Sequence, residues 1–216
     1  RRQGIPVVFV GRNFPTDSVD VIAPDNHWIG YQATRHLIEL GHERIAYIGL
    51  LDYSTGAERS AGYRQAMEEA NLPPMMMPIN EAEIGTAQPE DQPAGSPREH
   101  LAGPAQHKAH EIWSAANTLP HPTAAFCFND IVAMGVYKGL RELNLAIPND
   151  VSLVSVDNLI TVRHFEVPLS TFALPGQQIG IRSAEILLRR LAGDAAPAQR
   201  FLLQADFVPR ASAAEL

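Results

Sequence analysis

Along almost the whole chain short β-rich runs alternate with stretches of helical period, and that alternation restricts the fold to β-α-β units around a largely parallel sheet. The run IPVVFVG (5–11) reads as a buried strand and VDVIA (Val19 to Ala23) as a second, short one. Asp25 then stands as an N-cap before a helix whose Ile29, Ala33, Leu37 and Leu40 recur at helical spacing, with Gly41 as its stop. After the strand RIAYIGL comes TGAE, a capping box with Thr55 as N-cap and Glu58 three residues on, opening a helix to about Asn71. Ala109, Ile112, Trp113 and Ala116 form another apolar stripe. TAAFCF is a strand feeding a helix with Val132, Val136, Leu140 and Leu143 on one face, and VSLVSV is the next strand. A last helix runs from about Gln178 to Leu191, with Ile181, Ala184, Leu188 and Leu191 expected inward.

Residues 73–105 break this rhythm, because seven prolines with interspersed glycines, glutamines and acids sustain neither period. Most of that stretch is expected to be an irregular surface loop. At 216 residues with 45% hydrophobic and 19% charged side chains, the chain has enough apolar surface for one large domain or two modest ones. No apolar run approaches the roughly 20 residues of a membrane-spanning helix, so no membrane partner is expected. A net charge of −7 with scattered acids argues against this segment itself gripping nucleic acid, which needs a dense Lys/Arg face. The single cysteine, Cys127, falls in a buried strand, which excludes a disulfide framework and makes it a poor nucleophile. A reducing, cytoplasmic setting is the simpler reading. The chain opens RRQGIPVVFVG, with neither an initiator methionine nor a signal peptide, and reads as a fragment or processed product.

In open parallel sheets ligands bind beyond the carboxyl ends of the strands, where loops converge. Three polar groups occupy such ends: Arg59 beyond RIAYIGL, Asn129 after AAFCF and Asp157 after VSLVSV. An arginine in the first turn of a helix opposes the macrodipole, so something other than the helix should hold Arg59 there; a surface pair with Glu58 is the plain alternative. For the pair Asn129–Asp130 the expected division is that Asp130 caps the helix and Asn129 points into the crevice. Asp157 could equally be a turn residue in VDNL. Together an arginine, an asparagine and an aspartate suit a hydroxyl-rich or polar ring ligand. Elsewhere the chemistry is thin. The HKAHE stretch with His100, His107 and His110 matches no metal motif, no GxGxxG or GxxxxGK[ST] follows a strand, and no GxSxG elbow occurs. No catalytic residue, metal or cofactor is assigned, and the chain is not read as an enzyme. Trp28 and Trp113 fall on helical stripes and read as core or interface; Met75 to Met77 read as gap-filling or a mobile apolar patch.

The segments GIPVVFVGR, DN at Asp25 and Asn26, HLIELGHERIAYIG, ERSAGYRQAM, PTAAFCFNDIVAMG, IPNDVSLVSVDN and PLSTF occur in the order and spacing of the lactose/galactose repressor (LacI/GalR) family, which the chain resembles outside 73–105. The resemblance implies an α/β, periplasmic-binding-protein-like effector core: two Rossmann-like parallel-sheet subdomains with the ligand between them, the N-terminal one incomplete. Its divisions would be 1–24 with 174–203, and 25–173 with 204–216. It implies effector contacts at Arg59, Asn129 and Asp157, a sugar-like small-molecule effector, a homodimer, and operator DNA reached only through a headpiece absent from this chain. Gly11, followed by Arg12, stands where many sugar-responsive members carry an aspartate, and Leu174 stands where a polar residue is common. An incomplete sheet should leave an apolar face uncovered. A solute receptor of a membrane transporter, which shares the fold, is the alternative.

Overall fold

The computed structural model describes residues 5–13, 18–80, 101–114 and 120–216. In chain order its elements are β1 (Val8–Val10), β2 (Asp20–Pro24), α1 (Asn26–Glu39), β3 (Ile45–Gly49), α2 (Ser54–Glu69), β4 (Met75–Pro78), α3 (Ala102–Trp113), β5 (Ala124–Cys127), α4 (Asp130–Glu142), β6 (Ser152–Val156), β7 (Ser170–Ala173), α5 (Gly176–Leu191), β8 (Arg200–Leu203) and β9 (Asp206–Val208), with a 3-10 turn at Ile160–Arg163.

Two sheets result. The larger has the order β4-β3-β5-β6-β7-β9, parallel except for the antiparallel edge pair β7–β9. Its central strands IAYIG and SLVSV are buried along their whole length, as strands covered on both faces must be, which is why they read as unbroken apolar runs. Helix α1 packs on α2 and α3 on α4, and right-handed crossovers put the two pairs on opposite faces. Tyr47, Tyr63, Phe126 and Phe172 are the largest fully buried side chains of this core, with Tyr47 5.5 Å from Phe126 and 5.7 Å from Tyr63 between ring centres. The smaller sheet, β1-β2-β8, is all parallel and is covered by α5 through Ile22, Ile179 and Ile186. Arg190 of α5 grips Asp20 in bidentate fashion, both bonds at 2.8 Å. The chain crosses between the sheets after β2, after β7 and after β8, and Asp25 N–H donates to Leu203 C=O at 2.8 Å, tying two crossings side by side.

Several local expectations change. Residues 75–78 are not loop: the three methionines form β4 against β3, register Tyr47↔Met76, because a neighbour's open edge supplies the pairing that local composition does not advertise. Helix α3 begins at Ala102, so 102–105 are helical too; residues 81–100, including His100, lie outside the described residues, as does Ala116. In α5 the inward stripe is Ile179 and Ile186, while Ile181, Ala184, Leu188 and Leu191 are exposed, Leu188 by 65%. Two apolar stripes run along this helix, and periodicity cannot say which one meets the sheet. Ile5, Val7 and Val10, at and before β1, are exposed as well. Asp25 does cap α1, accepting from Trp28 N–H at 2.9 Å, and Gly41 leaves it with a left-handed φ of +90°. The Thr55–Glu58 capping box does not form: α2 starts at Ser54 with Tyr53 in the cap position and no side-chain cap bond.

Candidate functional site

The strand order of the larger sheet reverses between β3 and β5, the place where loops on its carboxyl edge splay apart and a crevice opens. A small crevice lies there, lined by Gly11, Pro24, Asn26, Thr55, Arg59, Phe128, Asn129, Asp157 and Leu174. Each of these residues ends or follows a parallel strand: Gly11 after β1, Pro24 and Asn26 at and after β2, Thr55 and Arg59 after β3, Phe128 and Asn129 after β5, Asp157 after β6, Leu174 after β7. Arg59, Asn129 and Asp157 therefore share one cavity wall, and the two sheets both contribute to it.

Arg59 is 3% exposed and lies in the second turn of α2, not the first, so the macrodipole opposes it less than its sequence position suggested. Its Nε donates to Asn26 Oδ1 at 3.0 Å and its Nη1 to the Phe128 carbonyl, while its Cζ sits 5.0 Å from the Phe128 ring centre. Phe128 can occupy this place only because β3 ends in glycine: a Cβ on Gly49 would stand 2.2 Å from Phe128 Cβ. Glu58 accepts from Asn13 Nδ2 at 2.6 Å and Asn26 Nδ2 at 3.3 Å. Arg12 lies over the Tyr53 ring at 5.6 Å. The segment after β1 is thus held to the start of α2 by a hydrogen bond and a cation–π contact.

Asn129 lines the crevice as expected, but it, and not Asp130, also caps the helix. Asn129 is the N-cap of α4, its Oδ1 accepting from Val132 N–H at 2.9 Å, which leaves its amide nitrogen for the crevice it lines. Asp130 is fully buried and accepts from Ser155, Thr171 and the Leu159 amide instead. Either residue can cap a helix; distant hydroxyls decide which one does. Asp157 leaves β6 with φ +116° and Asn158 follows at +56°, a left-handed pair of non-glycine residues of the kind concentrated at binding sites.

Asn26 and Phe128 are the site residues that strand-end reasoning passed over. Asn26 sits at a strand end by the same logic as the other three, but next to Asp25 it reads as part of a cap; Phe128 reads as the last apolar residue of its strand. Cys127 is buried and burial pushes its thiol pKa up, away from the thiolate a nucleophile needs. His110 pairs with Glu142 at 2.8 Å, and among the described residues no group of His, Cys, Asp or Glu is placed to hold a metal ion. Trp113 is buried with its Nε1 donating to Pro122 C=O at 2.8 Å, and Trp28 meets Phe172 edge-on.

The model of the periplasmic binding protein-like domain matches residues 34–213. The chain belongs to that family. Relatives of this periplasmic binding protein-like core include the HTH-type transcriptional repressor PurR of Vibrio campbellii (strain ATCC BAA-1116), 32% identical over 97% of this chain and 58% of that protein. A LacI family transcriptional regulator from Enterococcus faecium with bound ribose superposes with a TM-score of 0.80 at 25% identity, covering 100% of this chain and 73% of that one. A complex of the transcriptional regulator CelR with cellobiose gives 0.75 at 25% identity, covering 97% and 59%. The LacI/GalR effector-core resemblance read from the sequence motifs holds in these comparisons, and the α/β fold with two parallel sheets agrees with it. The chain spans about 58% of the length of the curated relatives it matches.

Proposed function

We propose that this chain is the effector-sensing and dimerising core of a cytoplasmic transcriptional repressor, not an enzyme, and that it binds a small polar metabolite, a sugar or sugar derivative, between two lobes formed by 1–24 with 174–203 and 25–173 with 204–216. The observation that carries the reading is the crevice whose every lining residue ends or follows a parallel strand and whose walls come from both sheets. Arg59 and the amide of Asn129 supply donors, Asp157 supplies acceptors, and Phe128 gives an apolar face. Relatives named as repressors favour a regulator over a transport receptor. Binding between lobes selects one relative orientation of them, and in a homodimer that orientation sets the spacing of DNA-binding headpieces carried outside this chain. The net charge of −7 accords with operator contacts lying elsewhere.

Titration calorimetry against a metabolite panel that includes ribose and cellobiose tests this, with Arg59→Ala, Asp157→Ala and Asn129→Asp. The last variant keeps the capping oxygen and replaces the amide donor with a charged acceptor. One compound should bind the parent and lose at least tenfold in each variant. Equal binding to all four proteins sinks the site assignment.

A further inference from the structure

Three consecutive backbone amides at the end of β6 are each claimed by a fixed acceptor. Asp157 N–H donates to the Phe172 carbonyl at 2.9 Å, Asn158 N–H to Thr171 Oγ1 at 3.3 Å, and Leu159 N–H to Asp130 Oδ2 at 2.6 Å. Thr171 is itself tied to Asp130, its hydroxyl donating to Oδ1 at 2.8 Å, and Ser155 Oγ donates to the same oxygen. One carboxylate, 0% exposed, thus joins the start of α4, strand β6, strand β7 and the turn between them. The turn needs such a clamp, because it holds two non-glycine residues at positive φ, a conformation that side chains disfavour unless the surroundings enforce it.

We infer that Asp130 is a positioning residue for ligand contact: it does not touch the ligand but fixes the left-handed turn that presents Asp157 to the crevice. The inference rests on the reading of Asp157 as a contact, and it explains why the acidic residue of the Asn129–Asp130 pair is buried while its neutral companion caps the helix. A carboxylate accepts all three donors through two oxygens with capacity to spare. Leucine has nearly the same shape and no acceptor, whereas asparagine can offer its oxygen to the Leu159 amide and its NH2 to the hydroxyls. Asp130→Leu should therefore break the clamp, and Asp130→Asn should largely keep it. Thr171→Val breaks only the link that joins Asp130 to the Asn158 amide.

Hydrogen exchange resolved at single amides tests this without any ligand. The Asn158 and Leu159 amides in Asp130→Leu, and the Asn158 amide in Thr171→Val, should exchange about tenfold or more faster relative to those of β6, as a local opening does. Asp130→Asn should stay within a few-fold of the parent. Val132→Ala, a cavity two residues on in the same helix, should leave that ratio unchanged while lowering global stability. If Asp130→Leu fails to fold, Thr171→Val and Asp130→Asn still give the comparison. An unchanged ratio in Thr171→Val, or in Asp130→Leu if it folds, overturns the positioning role. Ribose titration of the parent and Asp157→Ala separates the two readings. Equal ribose affinity in both removes Asp157 as a contact even where the exchange data uphold the clamp, and an unchanged exchange ratio removes the clamp even where Asp157→Ala abolishes binding.

Discussion

Replacing Gly30 by alanine should push apart the two helices that carry most of the crevice's donors. A Cβ built on Gly30 stands 2.0 Å from the carbonyl oxygen of Arg59, 2.8 Å from its carbonyl carbon and 2.9 Å from its Cα. Ordinary contact for a Cβ begins at 3.4 Å, and the obstacle is backbone, so no rotamer can step aside. Helices α1 and α2 would have to separate by more than 1 Å at their crossing. Gly62 makes the reciprocal approach, its Cβ position lying 2.0 Å from the His27 carbonyl oxygen. Two opposing terms decide the outcome. Alanine gains about 1 kcal/mol of helix propensity over glycine, while overpacking a close contact costs about 1–3 kcal/mol, and the upper end applies when backbone must move. The net expectation is a loss of about 2 kcal/mol, or about 4–8 °C in melting temperature for a chain of this size. The same separation stretches the 3.0 Å bond from Arg59 Nε to Asn26, so effector affinity should fall with stability. Gly180 of α5 is the control, since nothing lies within 4 Å of its Cβ position and alanine there should raise the melting temperature by about 2–4 °C. Thermal unfolding followed by circular dichroism settles it. If Gly30→Ala stabilises as Gly180→Ala does, the backbone contact between α1 and α2 is not what sets the position of Arg59.

Asn129→Ala should cost about 1 kcal/mol by uncapping α4, while Asn129→Asp holds stability, as chemical denaturation midpoints will register. His42 bridges Thr123 Oγ1 at 3.0 Å and the Ala214 carbonyl at 3.1 Å, and burial depresses its pKa below 6.5. The folded protein therefore binds fewer protons than the unfolded chain just below that value, so stability is full above about pH 6.5 and falls on acidification below it; comparing melting temperatures at pH 7.5 and 5.5 in the parent and His42→Gln should show a smaller drop in the variant. Cys127 should resist a thiol reagent at pH 8 in the native protein and react in denaturant; rapid native labelling would contradict its burial.

The parts of this fold visible in the sequence are those whose causes are local. IAYIG and SLVSV announce themselves because strands buried on both faces carry apolar side chains in both phases, and Asp25 and Gly41 bound α1 through bonds within one turn of themselves. What escaped has distant causes. RFLL and DFV are short and half-exposed, and they are strands because Ile22 pairs with Phe201 and Phe172 with Phe207. Glu58 leaves the expected capping box for Asn13, 45 residues away, and Asp130 leaves the cap for Ser155 and Thr171. The three strand-end residues share a crevice because the carboxyl-edge rule is topological, needing only strand order. Asn26 and Phe128, by contrast, become site residues only once Arg59 reaches them.

The small sheet has a temporal consequence. Its middle strand pairs with β8 through Val21↔Arg200, and Asp20 waits for Arg190 across 170 positions. Closing a loop of that length carries on the order of 4–5 kcal/mol of entropy before any contact rewards it. At a synthesis rate of about 5–20 residues per second, roughly 10–35 s pass between the emergence of β2 and that of its partner. Over that interval the strands β3 to β6 can assemble with their helices, while Val8 and Ile22 remain without the helix and strand that finally cover them. The chain is thus built so that its strand-end crevice, which needs both sheets, is the last thing to exist, and each newly made molecule passes through a stage with a nearly complete large sheet and no crevice.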